Sequence, residues 1–147
     1  MRSKRLDGDR ARHVLVFDKS DEVIERLLGF AVREAVTAAS FTGIGAFSDV
    51  TLGFFEPERN DYKRIPLDEQ VEVLTLAGDI ATKDGEPKVH AHVVVGKSDG
   101  TAWGGHLVEG HVWPTLEVVL VESPAELKRT LDEETQLPLI TLEPRKE

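Results

Sequence analysis

Short strand-like segments follow one another from Ala39 to Glu122, and they are the feature that most constrains the fold of this chain. The sequences between them are brief and contain turn-forming residues, as in Ser98-Asp99-Gly100. Because such short connections leave no room for crossover helices, neighbouring strands should pair mainly antiparallel. The segments that read as strands are residues 39–44, 50–55, 62–65, 71–80, 89–96, 102–108 and 116–121.

Helical patterns flank this region on both sides. Apolar side chains recur at every fourth position from Val23, which predicts a helix over residues 21–37 with Ser20 as its N-cap. Ser123-Pro124-Ala125-Glu126 matches a capping box with proline at the first helical position, and it predicts a second helix that ends near residue 134. Two further segments read as a first and a short last strand, residues 13–18 and 137–142.

These patterns predict the fold class and the domain organisation. We expect an α+β fold in which a mainly antiparallel sheet of about seven strands is flanked by two helices. The 147 residues suit one domain with a single buried core. Residues 13–143 are predicted to form that domain, and residues 1–12 a flexible basic N-terminal arm.

The composition excludes several classes of function. The chain has no cysteine, which rules out a disulfide framework, a thiolate zinc site and a thiol nucleophile. No apolar run approaches the ~20 residues of a membrane-spanning helix, so we expect no membrane association. The N-terminal residues lack the apolar core of a secretory signal, and a cytoplasmic location is therefore expected.

The charge distribution argues against direct binding of nucleic acid. The chain carries a net charge of -9, and residues 1–12 hold five basic side chains against two acidic ones. The rest of the chain therefore carries a net charge more negative than -9. Since neutralisation of phosphates by Lys and Arg dominates nucleic-acid affinity, we expect such a body to repel a phosphate backbone.

Three histidines are the strongest candidates for a functional site. His90 and His92 lie two residues apart, hence on the same face of one predicted strand. A three-residue turn at Ser98-Asp99-Gly100, with Gly100 in the left-handed conformation, would place His106 directly across from His92. Three imidazoles on one patch match a metal site with an open fourth position, and zinc is the expected ion. A turn of two residues would instead send His106 to the opposite face.

Other residues near the histidines have supporting roles in this hypothesis. Gly104 and Gly105 are predicted to allow a close approach to the backbone of their strand. Glu117 lies in an apolar strand and is a candidate to orient a metal-bound histidine, although its position at a strand start slightly favours outward exposure.

The chain also resembles a known family, the plants and prokaryotes conserved (PPC) domain, also called DUF296. Its motifs occur in the family's order from about residue 13 to residue 122. The matching stretches are residues 42–55, 73–80, 90–92, 104–107 and 110–117. The resemblance implies an antiparallel sheet flanked by helices, assembly as a homotrimer, and a metal held in some prokaryotic members by the histidines that match His90, His92 and His106.

The resemblance leaves the function open. Plant members follow an AT-hook and bind protein partners in nuclear regulators, whereas single-domain prokaryotic members are often labelled as DNA-binding proteins. An AT-hook needs an Arg-Gly-Arg-Pro core, which the sequence Arg2-Ser3-Lys4-Arg5-Leu6 lacks. The chain therefore looks like a stand-alone prokaryotic member.

Three hypotheses follow. The first is a trimeric regulatory or small-molecule-binding protein with a divalent transition metal on the three histidines. The second is a DNA-binding or transcription-associated protein that acts through protein partners. The third is a metal-dependent hydrolase or lyase, in which the metal would activate water. The sequence favours a binding function over an enzymatic one, because a site alone does not define a reaction.

Overall fold

The computed structural model describes residues 1–6 and 11–142. This part of the chain contains nine strands and one helix. In chain order they are β1 (Arg2–Leu6), β2 (Arg12–Phe17), α1 (Val23–Arg33), β3 (Ala38–Glu56), β4 (Asp61–Leu67), β5 (Val71–Lys83), β6 (Glu86–Gly96), β7 (Ala102–Glu122), β8 (Lys128–Leu131) and β9 (Pro138–Thr141).

The nine strands form a single sheet, in the order β1-β2-β7-β3-β5-β8-β9. β4 pairs with β3, and β6 pairs with both β5 and β7. β3 also pairs with both β5 and β7. The strands β3, β5, β6 and β7 therefore form a closed ring of pairings. Every described pairing is antiparallel except the one between β5 and β8, so the prediction of a mainly antiparallel sheet is confirmed.

The sheet has nine strands instead of about seven, because β1 and β8 form where the sequence predicts no strand. Two pairs of predicted segments are, in turn, continuous in the structure. Residues 39–44 and 50–55 belong to β3, and residues 102–108 and 116–121 belong to β7. The chain does not reverse between residues 39–44 and 50–55: β3 is continuous there, and its register with β5 shifts by a bulge between Gly43 and Gly45. A Cβ on Gly45 would lie 2.3 Å from the carbonyl oxygen of Thr115, which shows that glycine there permits close packing of β3 on β7.

The predicted second helix is wrong. Its segment contains β8 instead, because side chains of the capping-box region are engaged by β5. The hydroxyl of Thr82 donates to Oε1 of Glu126 at 2.9 Å, and the backbone N–H of Thr82 donates to the carbonyl of Leu127 at 2.8 Å. Arg129 of β8 is buried with its guanidinium against Asp79 of β5, and this contact holds β8 in place. Tertiary contacts therefore outweigh the local capping signal.

The first helix forms as predicted but is shorter. It is capped by Glu22, whose carboxylate accepts from the backbone N–H groups of Ile24 and Glu25 at 3.1 and 2.6 Å. Ser20, predicted as the cap, has a φ of 67° and donates its backbone N–H to the carbonyl of Val112. The helix covers the core with its apolar stripe, as the recurrence of apolar side chains at every fourth position predicts. Its buried residues are Val23, Leu27, Phe30 and Ala31.

The beginning of the predicted arm is structured. Arg2–Leu6 forms β1, which pairs antiparallel with β2 over five positions. Residues 7–10 of the predicted arm lie outside the described residues, and the domain boundary at residue 13 stays a prediction. In the described ranges, no helix is long and apolar enough to cross a membrane.

The core holds the strands that carry the histidines. In β6, Ala91, Val93 and Val95 are buried and alternate with residues of the opposite face. Leu107 is likewise buried next to His106 in β7. Burial of such side chains stabilises the fold by about 1.5–3 kcal/mol each for the larger ones, and it fixes the face on which the histidines lie.

Candidate metal centre

The hairpin between β6 and β7 sets the positions of the histidines. Its turn is Ser98-Asp99-Gly100, and Gly100 has a φ of 83°, in the left-handed region. The backbone N–H of Lys97 donates to the carbonyl of Thr101 at 2.9 Å, and that of Gly100 donates to the carbonyl of Lys97. His92 consequently pairs with His106 across the two strands. The predicted turn and register are both confirmed.

His90, His92 and His106 come together on one side of the sheet. Each contributes a ring nitrogen, and these nitrogens lie within 4.8 Å of one another. The ring centroids are 5.1 to 5.5 Å apart. We call this group the histidine triad. Three convergent imidazoles, with no further protein ligand in the group, are the donor set of an open transition-metal site.

The electrostatics around His90 and His106 favour neutral rings. Burial, together with the neighbouring His90 and His92, lowers the pKa of His106 to about 4. Burial is also the main cause of a lowered pKa of His90, against the opposing influence of the Asp79 carboxylate. Neutral imidazole is the form that binds a metal.

His106 also shows that its site fits a cation. Its Nδ1 is buried and has no hydrogen-bond partner among the described residues. Such an orphaned polar atom costs about 1–3 kcal/mol, so a buried imidazole without a partner calls for an explanation. The chemistry of the donors and this unsatisfied nitrogen fit a divalent transition metal.

Three further residues surround the histidine triad. Tyr62 of β4 stacks on His106, with ring centroids 4.5 Å apart and an interplanar angle of 25°. Oδ2 of Asp79 lies 3.8 Å from Nδ1 of His90, and Asp79 also forms a very short ion pair with Arg129 of β8. Burial raises the pKa of Tyr62, which keeps the phenol protonated.

A cavity of about 470 Å³ opens beside the histidine triad. Its wall is formed by residues of β4, β5, β6, β7, β8 and the segment around β9. The lining residues are Tyr62, Lys83, Lys88, Val89, His90, His92, His106, Arg129, Leu137, Pro138 and Leu139.

The structure does not bring Glu117 to the histidine triad. Its side chain is exposed and lines grooves elsewhere on the sheet, beside Ile44 and Val119. The carboxylate nearest to His90 among the described ion pairs is that of Asp79, which the sequence analysis did not single out. Asp79 faces His90 in the register of β5 and β6.

The two glycines permit close approach, but of neighbouring strands. A Cβ on Gly105 would lie 2.7 Å from the carbonyl oxygen of Gly53 in β3, and one on Gly104 would lie 3.1 Å from that of Val93 in β6. These glycines therefore let β3, β6 and β7 pack tightly around His106.

The sequence analysis also missed Tyr62 and Arg129. Asp79 had a usable signal, since a hairpin between residues 71–80 and 89–96 would align it with His90. Arg129 had none, because its segment reads as a helix in the sequence. The contact of Tyr62 with His106 depends on the position of β4 against the rest of the sheet, which no local pattern indicates.

Fold and site together define a class: a single-sheet domain that carries an open group of three histidines. The profile of the Plants and Prokaryotes Conserved (PCC) domain, the family written PPC above, matches residues 7–124. The chain belongs to this family.

Solved structures support the assignment. A PPC protein of Pyrococcus horikoshii is 30% identical, with 97% of this chain and 96% of that chain covered and a TM-score of 0.84. The metal-containing protein AF0104 of Archaeoglobus fulgidus is 29% identical, with 97% and 99% covered and a TM-score of 0.83. A protein of Bacteroides thetaiotaomicron described as a "putative dna binding protein" is 25% identical, with 95% and 96% covered and a TM-score of 0.88.

A curated relative matches only locally. The bifunctional protein GlmU of Synechococcus sp. (strain JA-3-3Ab) is 36% identical over 83 residues, which are 56% of this chain. The match covers 12% of that protein, so this chain spans only a small part of its length.

Proposed function

We propose that this chain is a PCC-domain protein that binds a divalent transition metal, with zinc as the expected ion, on His90, His92 and His106, and uses the site to bind a small molecule. The convergence of three ring nitrogens within 4.8 Å carries the proposal. The description of the Archaeoglobus relative as metal-containing supports it. When bound by these three histidines, such an ion would supply a Lewis acid.

The residues around the ion have separate roles in this proposal. Asp79 faces His90 from β5 at 3.8 Å, and its negative charge would stabilise a metal-bound imidazole. Tyr62 shields His106 from water by stacking on its ring. The cavity beside the histidine triad leaves space for a ligand.

Metal analysis of protein purified without a histidine tag tests the proposal. We expect close to one zinc, nickel, copper or iron ion per chain after reconstitution and dialysis. The matched variant His90→Ala/His106→Ala should retain none, while circular dichroism shows the fold unchanged. Wild-type protein that holds no ion after reconstitution would refute the metal site.

We also propose that the protein assembles as a homotrimer. Large apolar side chains are exposed on the sheet: Ile44 is 62% exposed, Leu74 53% and Val119 46%. Ile44 lines one groove with Leu74 and another with Val119, so the three form one surface. Burial of this surface and of sheet edges between copies would prevent aggregation. Sedimentation equilibrium should give three times the chain mass, and Ile44→Asp should lower it; a monomeric wild-type protein would contradict the proposal.

An enzymatic function is the second candidate, and the cavity next to the histidine triad favours it. A metal-dependent hydrolase or lyase would lose its rate on addition of a chelator and regain it with zinc. A panel of ester, phosphoester and lactone substrates provides the test. Rates that a chelator leaves unchanged would count against this candidate.

A role in DNA binding or transcription through partners has the description of the Bacteroides relative in its favour. The net charge of -9 argues against direct contact with DNA. We expect no shift of a DNA duplex at physiological salt, measured by gel mobility. A salt-sensitive shift that is lost on deletion of residues 1–12 would show that the N-terminal segment binds DNA.

A further inference from the structure

The cavity beside the histidine triad is positively charged, in contrast to the chain as a whole. The chain carries a net charge of -9. The lining includes Lys83, Lys88 and Arg129, and no Asp or Glu of the described residues is part of it. Two lysines and one arginine that is ion-paired to Asp79 line the same cavity of an acidic protein, and the two lysine charges indicate that the cavity attracts an anion.

Arg129 is held in place for such a role. Its side chain is 5% exposed, Nη2 pairs with Asp79, and Nη1 donates to the carbonyl of Pro138 at 2.9 Å. Its Nε is buried without a hydrogen-bond partner in the described part of the chain. The guanidinium is thus oriented by the protein, and one of its N–H donors is left unsatisfied.

The two lysines come from neighbouring strands at the same end of the cavity. Lys83 is the last residue of β5, and Lys88 lies near the start of β6, where it pairs with Ala81 of β5. Both are more exposed than Arg129: Lys83 is partly buried and Lys88 is exposed. They therefore provide mobile positive charge around a fixed guanidinium.

The rest of the wall selects the kind of anion. Val89, Leu137, Pro138 and Leu139 give the cavity an apolar side suited to a short carbon chain. No residue of α1 lines the cavity, so the helix N-terminus that commonly binds phosphate is not part of it. The volume of about 470 Å³ is in the lower half of the range for ligand pockets.

We propose that this cavity binds a small organic acid. Arg129, Lys83 and Lys88 hold a carboxylate, the apolar wall contacts the carbon chain, and the other end of the ligand lies toward the histidine triad. The identity of the ligand rests on the proposed function of the histidine triad as a metal site, but the contribution of the three cations is independent of it.

Succinate is a suitable probe, since it is a short dicarboxylate, and its diamide is a neutral molecule of matched shape. Co²⁺-loaded protein, with the metal content measured beforehand, is titrated with each compound by calorimetry and by visible absorption of the cobalt. We expect succinate to bind and to change the cobalt spectrum, and we expect succinamide to do neither. Inorganic phosphate serves as the competing anion and should bind at least tenfold more weakly.

Variants identify the cations. Lys83→Gln/Lys88→Gln should weaken succinate binding by about tenfold or more, because two charged donors are lost, and should leave the cobalt content unchanged. Lys63→Gln is the matched control: Lys63 follows Tyr62 on β4 and therefore points to the opposite face of that strand. Arg129→Lys keeps the buried charge but removes the planar donor set, and it should weaken binding while the fold is retained.

The outcomes separate the two proposals. A protein that takes up no cobalt refutes the metal site; calorimetry on that metal-free protein should still detect succinate, more weakly, with the same dependence on Lys83 and Lys88. Equal binding of succinate and succinamide, equal binding by the wild type and the double lysine variant, or no binding of succinate would each overturn the organic-acid proposal. Tighter binding of phosphate than of succinate would do so as well.

Discussion

Two of the regions of this protein that hold histidines, the histidine triad and the surroundings of His111, control the imidazole in opposite ways. In the histidine triad, burial lowers the pKa of His106 to about 4. In the middle of β7, Nδ1 of His111 lies 2.7 Å from Oδ1 of Asp49, and this hydrogen bond is the main cause of a raised pKa of His111. Glu109 also contributes, at 3.8 Å from Nε2.

The difference between them is the balance of burial and carboxylates. His111 is surrounded by acidic groups and is therefore suited to an ion pair. The histidine triad has rings close together, with Asp79 at 3.8 Å from His90 and with that carboxylate shared by Arg129. Residue type alone does not predict which histidine is able to bind a metal; the neighbours determine its protonation state.

The largest expected effect is a difference in zinc affinity between a variant of the histidine triad and a variant of His111. His106→Ala should reduce zinc affinity by more than about 100-fold, because loss of outer partners alone already costs 10–100-fold in metal sites. His111→Ala is the matched control and should leave affinity unchanged. Competition with a chromophoric chelator measures both. Similar losses in the two variants would show that the histidine triad is not the metal site.

A second prediction compares the carboxylates of the two regions. Asp79→Asn leaves the buried Arg129 without its ion-pair partner and should lower the free energy of unfolding by ~3 kcal/mol. Asp49→Asn breaks a pair whose side chains are 41% and 36% exposed, so the loss should stay at or below ~1 kcal/mol. Urea unfolding of the metal-free proteins measures both. A larger loss for Asp49→Asn would contradict this view of the two sites.

The part of the site that could be predicted from the sequence is the part that depends on local turn chemistry. The turn at Ser98-Asp99-Gly100 uses local chemistry: Gly100 adopts the left-handed region, and Asp99 accepts from Thr101 at 2.9 Å. The register that joins His92 to His106 follows from that turn alone, so the histidine triad was predictable. The environment that makes it a site depends on contacts between distant segments.

The errors in the predicted fold also arise from contacts between distant segments. The segment from Ser123 to Glu134 has a good local helix signal, yet Thr82 and Asp79 of β5 bind Glu126 and Arg129 across the sheet. Likewise, a Gly-rich sequence at residues 43–45 is compatible with a turn or a bulge, and only the proximity of β7 decides for a bulge. Long-range pairing is therefore the part that sequence patterns missed.

A third prediction concerns pH, and the two regions have opposite signs. The folded pKa of His106 is depressed, so the unfolded chain binds more protons and stability is lost as the pH falls from about 6.5 toward 4. The folded pKa of His111 is raised, so its contribution is complete below the unfolded pKa and is lost as the pH rises through the folded value.

Nuclear magnetic resonance of the metal-free protein measures these pKa values directly. His106 should titrate near 4, and His111 above its ordinary value. His106→Gln should reduce the loss of stability on the acid side, and His111→Gln should act on the alkaline side. If both rings titrate at the same pH, the two environments are not different in the way described.

The smallest expected effect concerns the aromatic partner of the histidine triad. Tyr62 stacks on His106 with its ring, whereas its hydroxyl makes no hydrogen bond among the described contacts. Tyr62→Phe should therefore change zinc affinity by less than about threefold, while Tyr62→Ala, which removes the stack, should weaken it by about threefold to tenfold. Chelator competition resolves these differences. A loss in Tyr62→Phe as large as in Tyr62→Ala would assign the effect to the hydroxyl, and the role of Tyr62 would then be a polar one toward the ion or its ligand.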